Sequence, residues 1–345
     1  MKNLLRPSTE SKKHWKYYIE INLVEKLFDK MTGLRVLVIG DVMADAYVMG
    51  KVDRISPEAP VPILHIRNNE MRPGGAANVA LNLRAMGAEV EMCALVGKDE
   101  KGETLVSLLQ AEGIGISGIV RSTERPTTIK TRIIAGGQHL LRIDEEDDRP
   151  TKDSEKSGLL TAALSLADSV DAIIFEDYDK GTIFPELISA VTQKALAKGI
   201  PVTVDPKKRN FMDYKGVSLF KPNLKELREG LKIEADPRKE GDILNACRKL
   251  AEALNARGVL LTLSEFGMAI YLDGFFQHIP AVPRDIADVS GAGDTVISVA
   301  TLCMAANCSA ETVLFLANLA GGQVCEYSGV VPVRKDVLLR EALEK

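Results

Sequence analysis

Three observations on this 345-residue sequence predict an α/β fold: a mostly parallel central sheet, helices on both faces, and a small separate piece of β-structure. Short apolar runs alternate with stretches of amphipathic helical spacing, which is the signature of buried parallel strands joined by crossover helices. Two longer stretches interrupt that rhythm with strand-like alternation. Gly-rich turns also lie where apolar runs give way to helical patterns, and ligands of α/β sheets bind at such turns.

Taken in order, residues 1–20 form a polar, basic leader, and INLVEKLFDKM (Ile21–Met31) has helical spacing. The first strand is LRVLVIG (Leu34–Gly40). Further buried strands are EVEMCALVG (Glu89–Gly97), DAIIFED (Asp171–Asp177), PVTVD (Pro201–Asp205), SLFKPN (Ser218–Asn223) and VLLTLS (Val259–Ser264). Helices are predicted at Ala76–Met86, Glu103–Gly113, Ser154–Asp168 and Ile243–Ala256. The two interruptions, Tyr47–Asn68 and Thr127–Asp144, alternate like exposed strands, and the second carries a Gly136-Gly137 turn. Together they read as a flap standing off the main sheet. The expected organisation is therefore a leader and helix over 1–33 and one main domain over 34–345, with flap segments at about 47–68 and 127–144.

Composition excludes several classes. A formal net charge of −4 offers no basic surface for nucleic acid or an anionic membrane. No apolar run approaches the ~20 residues that span a bilayer, and the N-terminus lacks the apolar centre of a signal peptide. The five cysteines form no CxxC pair, as expected of free thiols in a reducing cytoplasm.

Chemistry concentrates in DVSGAGDTVISVA (Asp288–Ala300). The apolar pattern from Thr295 onward makes Gly291-Ala292-Gly293 the turn into a helix N-terminus. Small residues there leave backbone amides open, and the helix dipole favours an anion. Asp294, in the first turn, is placed to accept a proton from an attacking hydroxyl beside that anion. Read alone, the stretch equally describes a Gly-rich turn with an acidic residue that stabilises its helix. A second stretch, RPGGAANVALNLRAMG (Arg72–Gly87), puts Gly74 and Gly75 before a helix bearing Asn78, which can both donate to and accept from a hydroxyl. Neither a dinucleotide fingerprint nor a GxxxxGK[ST] loop is present.

The two stretches together resemble the signatures of the PfkB, or ribokinase-like, family of sugar kinases. The first is met by Gly74-Gly75, Asn78, Ala80, Gly87 and Gly97. The second is met by Asp288, Gly291-Ala292-Gly293-Asp294 and Ser298, and departs at Val299, where the pattern wants Ala or Gly. The resemblance covers roughly Leu34 to Val333. It implies a ribokinase-like fold, ATP and Mg²⁺ as co-reactants, Asp294 as general base, and the Gly291-Ala292-Gly293 backbone as the anion hole for the transferring phosphoryl group. Asn223 and Glu226 match the family's NxxE motif, through which Glu226 arranges Mg²⁺ by way of water; the same pair also makes a capping box. Ser264, Gly267 and Asn318 fall on the family's nucleotide side. Asp41 and Asp45 are candidates for the sugar-binding Asp, with Asp45 the closer match and Asp41 equally readable as a turn residue. The flap matches the family's β lid, which implies a homodimer paired through it. The family also admits a monovalent cation such as K⁺ near Asp288 and Ser290.

Within the family, RISPEAPVPIL (Arg54–Leu64), EDYDKG (Glu176–Gly181) and VDPKKRNF (Val204–Phe211) resemble the branch that phosphorylates C1 of a heptose 7-phosphate. A substrate already carrying phosphate implies cations in its pocket: Arg54, Arg72, Lys180 or Lys208, with the two lysines favoured because both follow strand ends. The four histidines form no HxGH motif, so a kinase without an attached nucleotidyltransferase is expected. The alternatives are a kinase of fructose 6-phosphate or of an unphosphorylated sugar, and a sugar-phosphate-binding regulator without catalysis.

Overall fold

The run Arg35–Gly40 becomes the strand on which both layers are built, because its alternation feeds two separate cores. Val36 and Val38 pack on one face, Leu37 and Ile39 on the other. The computed structural model describes residues 21–344, so the expected leader over 1–20 lies outside the described residues. In chain order the first elements are helix α1 (Ile21–Met31) and strands β1 (Arg35–Gly40), β2 (Val42–Ile55) and β3 (Pro62–Gly75). Then come α2 (Ala76–Ala85), β4 (Glu89–Gly97), α3 (Glu100–Ala111), β5 (Gly115–Ser122), β6 (Ile129–Ala135) and β7 (Gln138–Glu145). The middle of the chain supplies α4 (Asp153–Leu166), β8 (Ala172–Glu176), α5 (Pro185–Lys198), β9 (Val202–Asp205), β10 (Leu219–Phe220), α6 (Leu224–Leu231) and α7 (Glu240–Leu254). The last elements are β11 (Gly258–Thr262), β12 (Met268–Leu272), β13 (Phe275–Ile279), α8 (Ala292–Ala305), α9 (Ala310–Val324) and α10 (Lys335–Glu344).

The main sheet has nine strands in the order β13-β12-β11-β10-β9-β8-β1-β4-β5. It is parallel from β5 to β11, and the β12–β13 hairpin closes one edge antiparallel. One face is covered by α2, α8, α9 and α10 with α1, whose Val24, Phe28 and Met31 enter the same core as Val36. The other is covered by α4, α5 and α7. Among the described residues no helix is long and apolar enough to cross a membrane.

The flap is a second, four-stranded sheet in the order β3-β2-β6-β7. It is more extensive than its sequence pattern suggests. β2 starts at Val42, directly after β1, and β3 runs on to Gly75, so each strand is 14 residues long. The conversion of β3 into α2 at Gly75 therefore joins flap and main body with no loop between. The expected Gly136-Gly137 turn forms, with both residues at positive φ.

Candidate active site

The carboxyl ends of β1, β8, β9 and β10 and the N-termini of α2 and α8 open on the same edge of the sheet, the usual ligand crevice of an open α/β sheet. Gly291 turns the chain into α8 with φ of 78°, a left-handed conformation natural to glycine. A Cβ there would also stand only 2.8 Å from Asn78 Nδ2, so glycine is required twice over. The N–H groups of Gly291 and Gly293 have no hydrogen-bond partner among the described residues, whereas that of Ala292 turns back to the Val289 carbonyl at 3.3 Å. The Asp294 amide is likewise unpartnered among the described residues, so the open amides at this helix end are those of Gly291, Gly293 and Asp294.

Asp294 follows in the first turn, buried, and both its oxygens are held. Asn78 Nδ2 donates to Oδ2 at 2.6 Å and the Tyr178 hydroxyl donates to Oδ1 at 3.0 Å. Asn78 reaches it because α2 and α8 are zipped by polar groups. Asn82 Oδ1 accepts from the Thr295 hydroxyl (3.0 Å) and the Val333 amide (2.9 Å), while Ser298 donates to the Val79 carbonyl (3.2 Å). Val299 is fully buried in the packing, so its departure from the family pattern leaves the site untouched. Burial pushes the Asp294 carboxyl up to about 6, with the charge of Asp205 adding and the bonds from Asn78 and Tyr178 opposing.

Beneath it lies an acidic group that the sequence reading does not anticipate. Glu176, Asp205 and Asp294 bring carboxylate oxygens within 4.8 Å of one another. Asp205 is ion-paired to buried Lys221 at 2.8 Å. Both carboxylate oxygens of Glu176 are buried with no hydrogen-bond partner, and burial, then the charges of Asp205 and Asp294, raises that carboxyl well above the usual range. Lys207 sits alongside, its Nζ 3.3 Å from Glu226 Oε1 and 5.0 Å from the centre of the Tyr178 ring. Glu176 and Asp205 end their strands, Lys221 directly follows β10, and Lys207 comes two residues after β9. The signal was therefore positional: the last polar residues of FED, VDPK and FKPN.

Asn223 and Glu226 form the reciprocal cap of α6. Asn223 Oδ1 accepts from the Glu226 amide and Glu226 Oε2 from the Asn223 amide, both at 2.9 Å. Ser264 begins a short 3-10 turn, Ser264–Phe266, closed by Gly267 at φ of 89°, where a Cβ would run into the Ile279 carbonyl. Asn318 on α9 donates to the Pro280 carbonyl at 3.0 Å, tying the helix to the loop after β13. Asp288 accepts from the amides of Ser290 and Gly329, both at 3.0 Å.

The acceptor-side residues divide. The Asp41 carboxylate accepts from the amides of Tyr178, Lys180 and Thr182 at 2.9–3.0 Å, the bonding that its reading as a turn residue describes. Asp45 lies on β2 against Gly74, with Arg132 NH1 at 2.5 Å from its Oδ1. Arg72, opposite Asp45 on β3, pairs with Glu70 at 2.5 Å. Lys180 is ion-paired to Glu146 at 2.9 Å, and Lys208 is exposed on the loop after β9. Of the two adjacent lysines in DPKKRN, it is Lys207 that the fold turns onto Tyr178 and Glu226.

A family pattern described as pfkB family carbohydrate kinase matches residues 34–335. The curated relatives include the bifunctional protein HldE of Citrifermentans bemidjiense, 37% identical over 302 residues that cover 87% of this chain and 61% of the relative. The bifunctional protein HldE of Shewanella sediminis is 40% identical over 308 residues, 89% of this chain and 63% of the relative. The chain thus spans under two thirds of the length of these relatives. Among solved structures, phosphofructokinase-2 from Escherichia coli in complex with potassium superposes with a TM-score of 0.74 at 20% identity, covering 91% of this chain and 100% of that one. Arabidopsis thaliana ribokinase complexed with ribose and ATP gives 0.67 at 20% identity, covering 90% and 99%. These structures share the ribokinase-like fold.

Proposed function

The chain belongs to the pfkB family of carbohydrate kinases, and from that premise we propose that it transfers the γ-phosphoryl group of ATP to the C1 hydroxyl of D-glycero-β-D-manno-heptose 7-phosphate, giving the 1,7-bisphosphate used in building lipopolysaccharide core. The observation that carries the phosphotransfer reading is the buried Asp294 carboxylate beside the open amides of Gly291 and Gly293. Asp294 accepts the proton of the attacking hydroxyl, while Asn78 and Tyr178 fix the direction of its lone pairs. The two glycine amides and the α8 N-terminus face the charge of the transferring group. The choice of heptose phosphate is supported by the wording of Arg54–Leu64, Glu176–Gly181 and Val204–Phe211, and by 37–40% identity to proteins named HldE.

The residues present fit Mg²⁺. Glu176 offers two orphaned buried oxygens and Asp205 a second carboxylate within reach, a hard oxygen set suited to that ion. Glu226 stands one Lys207 away and would act through water. When bound, Mg²⁺ supplies charge neutralisation to the phosphates. Ser264, Gly267 and Asn318 line the proposed nucleotide side, and Asp288 is the residue proposed for a K⁺ ion. We also propose a cytoplasmic homodimer paired through the four-stranded sheet, which exposes Ile55, Ile66, Leu140, Leu141 and Ile143.

The test is ADP release from Mg-ATP with the heptose 7-phosphate, fructose 6-phosphate, fructose and ribose as acceptors. Turnover confined to the heptose phosphate is expected. Preference for another acceptor would retain the phosphotransfer chemistry and overturn the substrate.

A further inference from the structure

Resting on that reading, we infer that the acceptor's own phosphate is seated by two arginines, Arg72 and Arg132, that close on Tyr47 from neighbouring strands. The residues belong to one face of the four-stranded sheet. Tyr47 on β2 is in register with Glu70 on β3 and Arg132 on β6, and Asp45, two residues earlier on the same face, is in register with Arg72. Both guanidinium carbons lie close to the Tyr47 ring centre, Arg72 at 5.2 Å and Arg132 at 5.3 Å. Two cations are thus gathered on one aromatic side chain.

Each arginine keeps donors in hand. Arg132 spends NH1 on Asp45 and, at 3.4 Å, on the Lys130 carbonyl. Its Nε and NH2 have no acceptor among the described residues, although the side chain is only 22% exposed. Arg72 spends Nε on Glu70, and its NH1 and NH2 have no acceptor among the described residues. Asp45 and Glu70 each hold one edge of a fork, which pre-sets its direction. The free edges present planar, paired N–H groups, the geometry that matches a phosphate monoester.

The clamp also faces the site. Gly74 abuts the Asp45 carboxylate, and Arg72 NH1 stands 4.0 Å from where a Cβ on Gly329 would lie. Gly329 donates to Asp288, which opens the turn into α8. From Arg72 to Gly75 is three steps of extended chain, about 10 Å. Asn78, which holds Asp294, lies in the first turn of the helix that follows. A sugar phosphate bridging Asp294 and the clamp would run along that edge. Two of the other cations named from sequence fit less well. Lys180 is already paired with Glu146, and Arg54 lies nine residues beyond Asp45 on β2, about 30 Å along the strand.

The experiment measures kcat/KM for D-glycero-D-manno-heptose 7-phosphate and for the same heptose without phosphate, by ADP release. The proteins are wild type, Arg72→Gln, Arg132→Gln and Arg132→Lys, with Lys180→Met and Lys208→Met beside them. Losing one fork should lower the ratio of phosphorylated to unphosphorylated acceptor by about 10-fold or more, through KM rather than kcat. Arg132→Lys keeps a charge for Asp45, guards against misfolding, and should still lose most of the ratio because the fork is gone. A ratio unmoved in Arg72→Gln and Arg132→Lys, or a larger fall in either lysine variant, would overturn the clamp alone. A wild-type enzyme that turned over no sugar phosphate would overturn the parent reading and the clamp together.

Discussion

The floor of the crevice and the four-stranded sheet above it are built on opposite principles. The floor is buried polar chemistry. Glu176, Asp205, Lys221, Asn78 and Asp294 are all under 10% exposed, locked between the strand ends and the α2–α8 pair. The flap puts only its root into the core, through Val42, Ala44, Ala46 and Ile129, and displays apolar side chains outward beyond it. A buried charge must be held by neighbours that cannot move, so general-base chemistry belongs on the rigid layer. Selection of an acceptor needs a surface that can come and go, and strands with few buried apolar contacts supply one.

The sharpest way to break this contrast is Asp294→Asn. Turnover should fall by ~10²–10⁴-fold, the usual share of general-base catalysis, with ATP still bound. Melting should move the other way. The carboxyl titrates at about 6 rather than 3.8, so the ionised form is disfavoured in the folded protein. The stability tied to that group is present at low pH and lost as pH rises through about 6. The Asn variant lacks that loss and should melt higher than wild type at pH 8 by scanning calorimetry. Lower melting at pH 8 would mean that the carboxylate holds the floor together instead of straining it.

Next in size is Tyr178→Phe. The kinase should lose activity as pH falls through about 6, where Asp294 takes up its proton. The Tyr178 hydroxyl donates to that carboxylate and so favours the ionised form. Removing it should shift the acid limb of the kcat/KM profile to higher pH and lower the plateau by roughly 10-fold, within the range for one hydrogen bond to a charged group. An unchanged limb would assign Tyr178 to packing beside Lys207.

The same contrast explains what the sequence could and could not disclose. Gly291, Gly293 and Asp294 were legible because a helix start, open amides and a base occupy consecutive positions, and the chemistry is local in the chain. Asn223 and Glu226 were legible for the same reason, a capping box being a four-residue device. Glu176, Asp205 and Lys221 were not, because they meet only when three separate strands end on one level. Lys207, which the sequence analysis does not single out beside Lys208, shows the limit plainly: side-chain direction after β9 is set by how the loop packs on Tyr178, and two adjacent lysines carry no mark of it. In the flap, alternation announced strands but not their length, because the pattern breaks at Gly74-Gly75, where β3 passes into α2.

The smallest expected effect concerns the outer face of the flap. Leu141 and Ile143 on β7 are exposed by 58% and 45%, and Leu140 by 43%. A strand at the edge of a sheet with several apolar residues outward is a surface that seeks a partner. If two copies pair there, Leu141→Lys should shift sedimentation equilibrium toward monomer while leaving the floor intact. Because Arg132 sits on β6 next to β7, loosening that face should raise the KM for the acceptor by a few-fold and leave that for ATP alone. A monomeric wild type would remove the pairing. A dimer that survived Leu141→Lys with both KM values fixed would move the interface off β7, and would leave the flap a lid that works within one chain.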